Sequence, residues 1–160
     1  MGRTWIVAVA AGLLLSGCMT NMPPSEVGSR DNPRKVLIAS EDTGFKRNVV
    51  DRLVGKLGTR DWYFHIIGLD GLAAQDAAPY GAVLILAHMR GGRIDGRAMG
   101  YVRDDPANPK VILFYTRGAE TPLPESLQPD LQVDAVSSAS RTDRVDTRAE
   151  ELSALIAKRF

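Results

Sequence analysis

The chain has 160 residues, is 44% hydrophobic and 24% charged, and carries a formal net charge of +1. That length suits one ordinary domain with a real core, and the composition excludes a disordered chain. The near-neutral charge gives no reason to expect nucleic acid or another polyanion as a partner, and a single cysteine, Cys18, excludes an intrachain disulfide.

Residues 1–17 read as a signal peptide, with Arg3 as the positive n-region and residues 5–15 as an apolar stretch too short to span a bilayer. The segment ends Leu15, Ser16, Gly17, Cys18, which resembles the lipobox of bacterial lipoproteins. The resemblance implies cleavage before Cys18 and acylation of that residue, and several acyl chains give an anchoring that one chain does not. The alternative is an ordinary secreted protein with a chance cysteine. Met19 stands where inner-membrane retention in such lipoproteins usually has Asp, so the expected address is the periplasmic face of the outer membrane. Residues 19–33 are rich in proline and small polar residues and have no periodicity, which reads as a flexible tether. The expected organisation is therefore a leader over 1–17, a lipidated cysteine and tether over 18–33, and a domain over 34–160.

The domain opens with an apolar run at 35–39, expected to be a strand covered on both faces. A loop at 40–44 leads to a helix over 45–57, whose stripe of Phe45, Val49, Val50, Leu53, Val54 and Leu57 has helical spacing, with Gly58 placed to stop it. Residues 62–69, heavy in aromatic and branched side chains, read as a strand. His65 lies inside that run with no second ligand at metal spacing, so no metal site is expected there. A short alanine-rich piece within 70–79 is a candidate helix. Residues 82–88 form the most apolar run of the mature chain and a central strand, followed by a glycine loop at 88–93 and a helix carrying Ile94, Ala98, Tyr101 and Val102. A loop at 104–109 precedes a buried strand at 111–115. A proline-rich link at 121–129 precedes a short strand at 131–136, and a final helix covers 142–160 with Thr142 or Asp143 as its cap.

Strands alternating with helical segments argue for a doubly wound α/β domain with a mostly parallel five-stranded sheet, in the order 2-1-3-4-5. On the strand-loop-helix around Thr43 and Gly44, the strand at 83–87 with its glycine loop, and residues 111–118, the chain resembles the flavodoxin-like family over 34–160. In flavodoxins the first loop wraps the phosphate of FMN with hydroxyls and backbone amides. The resemblance makes Ser40, Thr43, Gly44 and Lys46 the candidate phosphate loop, with Lys46 and the helix amides as an anion site. It makes Arg90, Gly91, Gly92, Thr116, Arg117 and Gly118 the candidate loops flanking a flavin ring. The sequence departs from the family pattern with Glu41 at the first hydroxyl position, Lys46 at the last, and no tryptophan or tyrosine sandwich. Glu41 and Asp42 oppose a phosphate by on the order of a kcal/mol or more. The plainer alternative is that Asp42 or Thr43 caps the helix and Glu41 is solvated. Arg90, Arg93 and Arg117 are candidates for meeting an acidic ligand or partner.

A second stretch, residues 133–141, crowds hydroxyls together as the last strand leaves the sheet. It resembles the acceptor motif of covalently flavinylated envelope proteins, with Asp134, Ser137 and Ala139 matching, Ser138 in place of a glycine and Ser140 in place of the flavin-bearing threonine. The alternative is a tight exit turn whose serines satisfy backbone groups and cap the last helix. No trio of nucleophile, base and orienting acid is visible, so no catalytic residue is assigned. Two functions follow: a cofactor-poor envelope module that binds a protein partner or serves structurally, or an FMN-binding periplasmic electron-transfer or oxidoreductase protein. The altered phosphate loop and the missing aromatic sandwich favour the first.

Overall fold

A computed structural model describes residues 20–118 and 131–160. The leader, Cys18 and the proline-rich link at 121–129 lie outside the described residues, as do residues 119 and 120 of the third loop.

The strands are β1 (Ser25–Val27), β2 (Arg34–Ser40), β3 (Trp62–Gly68), β4 (Ala82–Arg90), β5 (Arg93–Ile94), β6 (Val111–Arg117) and β7 (Asp134–Ala139), and the helices are α1 (Gly44–Leu57), α2 (Gly96–Asp104) and α3 (Val145–Ala157). The sheet runs β1-β3-β2-β4-β6-β7, with β5 paired to the end of β4. The pairs β3-β2, β2-β4, β4-β6 and β6-β7 are all parallel. These five strands have the expected doubly wound order. β1 is an antiparallel edge.

Alternating side chains of the parallel strands enter two cores, as a sheet covered on both faces requires. Val36, Ile38, Phe64, Leu84, Leu86, Ile112 and Phe114 pack under α1 and α3, whose stripes supply Val49, Val50, Leu53, Ala149, Leu152 and Ile156. Leu37, Ala39, Val83, Ile85, Ala87, Leu113 and Tyr115 face the other way, against α2 and the 3-10 turn Leu69–Ala74. That turn takes the place of the expected helix within 70–79. Among the described residues no helix is long and apolar enough to cross a membrane.

The expectation that a tether runs up to residue 33 is corrected by the structure. From Thr20 the chain is built onto the domain: Met22 is buried in the core, and Ser25, Glu26 and Val27 pair with Ile66, His65 and Phe64. The physical reason is β3, an apolar strand with both faces buried, which without β1 would present an unpaired edge. Pro23 and Pro24 are tolerated because they precede a short strand at the sheet edge. Gly28 ends β1 at φ +88, where a Cβ would sit 2.1 Å from the Trp62 carbonyl oxygen. Only glycine fits that approach.

Two other boundaries move. The last strand lies three residues later than the expected 131–136, so Ser137 and Ser138 are strand residues. The last helix begins at Val145 after a 3-10 turn at Thr142–Arg144, and its N-cap, Arg144, makes no side-chain capping bond. The serines therefore do not cap it.

Candidate functional site at the carboxyl edge of the sheet

The carboxyl ends of β2, β4 and β6 bring Glu41, His88 and Thr116 to one edge, with Asp95 and Arg97 arriving from the start of α2. This is where open α/β sheets hold ligands. The sequence-derived expectation that Glu41 is solvated does not hold: its side chain is 1% exposed and pairs with Lys46, also 1% exposed, at 2.6 Å. Burial pulls the Lys46 ammonium below its ordinary pKa, and the Glu41 carboxylate pulls the other way. The other oxygen of Glu41 faces His88 Nδ1, and Arg97 Nη2 lies 3.8 Å from it.

The network continues outward. Asp95 caps α2, accepting the Arg97 backbone N–H at 2.9 Å, and its carboxylate is forked by the Arg97 guanidinium at 2.9 and 2.8 Å. Arg97 Nη1 also donates to Asp70 at 2.6 Å and to Asn21 Oδ1 at 3.3 Å, and Asn21 in turn donates to Asp70. The Glu41, His88 and Asp95 ligand atoms lie within 4.8 Å of one another, close enough for a metal ion. Both carboxylates already carry a cation, Lys46 on one and Arg97 on the other. Each of these two carboxylates is already ion-paired, so a metal would have to displace Arg97 from Asp95.

Arg97 holds the Asp95 carboxyl below its ordinary value of 3.8, with its cap bond adding to the effect. A carboxyl depressed by folding contributes stability that is fully present above the unfolded pKa and is lost as pH falls through the folded one. Acid unfolding followed by circular dichroism is therefore expected to move to higher pH in Arg97→Gln, with the stability deficit full near neutrality and shrinking as pH falls through the folded Asp95 pKa.

The first loop is covered by the chain's own amino-terminal segment. Asn21 bridges Glu41, Met22 N donates to Ser40 O at 3.1 Å, and Asp42 N donates to Thr20 O at 2.7 Å. Ser40 is buried, with its hydroxyl on the Glu41 carbonyl at 2.8 Å. Thr43 caps α1, its hydroxyl accepting from Lys46 N at 3.2 Å. Asp42 is engaged by Arg47 at 2.5 Å.

The second loop is a β-hairpin rather than an open cradle. Arg90 pairs with Arg93 across a turn in which Gly91 and Gly92 take φ +56 and +75. Those signs are what a tight two-residue hairpin demands. In the third loop Thr116 is buried with its hydroxyl 3.5 Å from the Ala87 carbonyl, Arg117 ends β6 and Gly118 follows it. The stretch around Ser140 leaves β7 at the same carboxyl edge, where Ser138 pairs with Thr116 and Ala139 with Arg117, but its side-chain bonds are separate from the Glu41 network. Asp134 is paired with Arg159 at 2.7 Å, Ser138 is buried with its hydroxyl on the Ala139 carbonyl, and Ser140 is exposed.

The fit of an FMN phosphate to the first loop can be tested on these residues. The Asp42 amide already donates to Thr20, and the buried Lys46 ammonium is turned inward onto the Glu41 carboxylate. Counted together, Lys46 and Arg97 face three carboxylates, Glu41, Asp95 and Asp70. Such a centre does not suit a phosphate. The residues present do not fit the cofactor that the first loop holds in flavodoxins.

No protein-family model matches the sequence, and no curated protein is a significant match. Among solved structures the chain is similar to a flavodoxin from the Archaea, with a TM-score of 0.55 and 10% identity over 78% of this chain and 98% of that one. It is similar to flavodoxin 2 from Bacillus cereus, with a TM-score of 0.54 and 18% identity over 79% of this chain and 99% of that one. A flavo di-iron protein from Thermotoga maritima gives a TM-score of 0.55 and 13% identity over 82% of this chain, which spans only 36% of that protein. At these identities the likeness establishes the fold alone, and the chain has a flavodoxin-like fold.

Proposed function

We propose that this chain is a lipid-anchored envelope protein whose flavodoxin-like domain acts as a binding or structural module and does not carry a flavin. The observation that carries the reading is the buried Lys46–Glu41–His88 network beneath residues 20–22, which fills the first loop with the protein's own groups. The same fold serves many unrelated functions, and the site decides among them. The solved flavodoxins that resemble this chain keep the FMN-binding alternative in view, but the first loop here favours the flavin-free reading.

The anchor half of the reading rests on the pattern that ends at Cys18. In cell fractionation the wild-type protein is expected in the outer-membrane fraction, and Cys18→Ser is expected to be released or to remain unprocessed. A Cys18→Ser protein that is fully processed and still membrane-bound would overturn the anchor. Purified without added flavin, the protein is expected to be colourless, and a yellow preparation would overturn the module.

A further inference from the structure

The structured amino-terminal segment changes what an anchor at Cys18 would do. A tether of fifteen or so residues would let the domain drift from the membrane, roughly 20 Å away on average for a flexible chain. Instead Thr20 is fixed at the carboxyl edge: its carbonyl accepts from Asp42 N, its hydroxyl donates to Asp42 O at 3.1 Å, and Asn21 bridges Glu41. Only Met19 separates Thr20 from Cys18, so the two Cα atoms are at most about 7 Å apart. From Asn21 the chain runs down the outer side of β3, away from that edge.

The same edge carries unmatched positive charge. Strand β4 pairs with β2 as far as Leu86 and with β6 as far as His88, so the hairpin of Arg90, Gly91, Gly92 and Arg93 projects beyond its neighbours. Arg90 and Arg93 are exposed and directly opposite each other, an arrangement of like charges that is unfavourable in isolation. Arg117 ends β6 on the same side. None of the three has an ion-pair partner among the described residues, whereas Asp42 pairs with Arg47, Glu41 with Lys46, and Asp70 and Asp95 share Arg97, so the cations among these residues still outnumber the carboxylates.

We propose that the carboxyl edge of the sheet lies against the leaflet that holds the anchor, with Arg90, Arg93 and Arg117 on anionic phospholipid headgroups. This inference rests on the lipoprotein reading and adds an orientation to it. Its occupant is set by where the chain beyond Thr20 leads and by the sign of the uncompensated charge. Basic residues close to an anionic surface are drawn to it over about a Debye length, which that short reach satisfies.

The test uses the full-length lipidated protein in phosphatidylcholine vesicles, with and without phosphatidylglycerol, that contain a headgroup nitroxide quencher. A thiol fluorophore is placed at Gly118→Cys, where a side chain meets open space, or at exposed Asp61→Cys in the turn before β3. The expected result is strong quenching at 118, little at 61, and loss of the phosphatidylglycerol-dependent part of the quenching at 118 when Arg90→Glu and Arg93→Glu are added. Equal quenching at both positions, or none at 118, in protein that floats with the vesicles would overturn the orientation and leave the anchor standing. Quenching at 118 that does not change with phosphatidylglycerol or with the charge reversals would overturn the headgroup contact. Protein that does not float with the vesicles would overturn the anchor and the orientation together.

Discussion

Glu41→Ala is expected to cost about 3–5 kcal/mol of folding stability, the usual penalty for stranding one member of a buried ion pair. Both side chains are 1% exposed, so neither water nor a surface counter-ion can replace the lost carboxylate beside Lys46. His88 loses its partner in the same change. The loss follows from the uncompensated ammonium and not from the volume removed, so the double variant Glu41→Leu, Lys46→Met should recover most of it, as hydrophobic replacements of buried pairs often do. Urea unfolding of Glu41→Ala and of the double variant measures this directly. A Glu41→Ala protein within about 0.5 kcal/mol of wild type, the ordinary range for surface changes, would mean that the pair is not buried as described.

Deleting residues 20–33 is expected to have an effect of similar size and a visible consequence. Met22 contributes roughly 2 kcal/mol by its burial, and each lost backbone hydrogen bond about 1 kcal/mol. The lost bonds include those from Met22 N to Ser40 O and from Asp42 N to Thr20 O, besides the β1 ladder. A total on the order of 5 kcal/mol is comparable with the whole stability of an ordinary domain. The deletion also opens the edge of β3 over Trp62–Gly68, a strand with nearly every side chain buried. Such an edge recruits other chains, so the truncated protein is expected to aggregate, with size-exclusion chromatography as the readout. A monomeric truncated domain of unchanged thermal midpoint would show that residues 20–33 are a tether after all.

The parallel strands are legible in the sequence because each is a short apolar run, and their alternation with helical stripes leaves few arrangements open. The edge strand is not legible. Ser25, Glu26 and Val27 follow two prolines and show no alternation, and what orders them is the open edge of β3, a tertiary requirement. The hairpin at 90–93 is legible in retrospect, since paired glycines between short extended pieces are a hairpin signal. The site was half legible. Its location at the loop after the first strand follows from the fold, but locally Glu41 reads as a solvated loop charge and Lys46 as a ligand for an anion. Only the register that sets the end of β2 beside β4 places His88 on Glu41. Nothing in the spacing of 41, 88 and 95 announces that meeting.

The central claim is that the first loop is closed by the protein's own charges and its own amino-terminal segment. It is tested most directly by titrating FMN into the chain from Met19 onwards, which keeps β1, and following flavin fluorescence. No binding is expected below about millimolar FMN, a level that corresponds to only ~4 kcal/mol. Micromolar binding that is weakened by Lys46→Glu would contradict it and would make the loop a phosphate site.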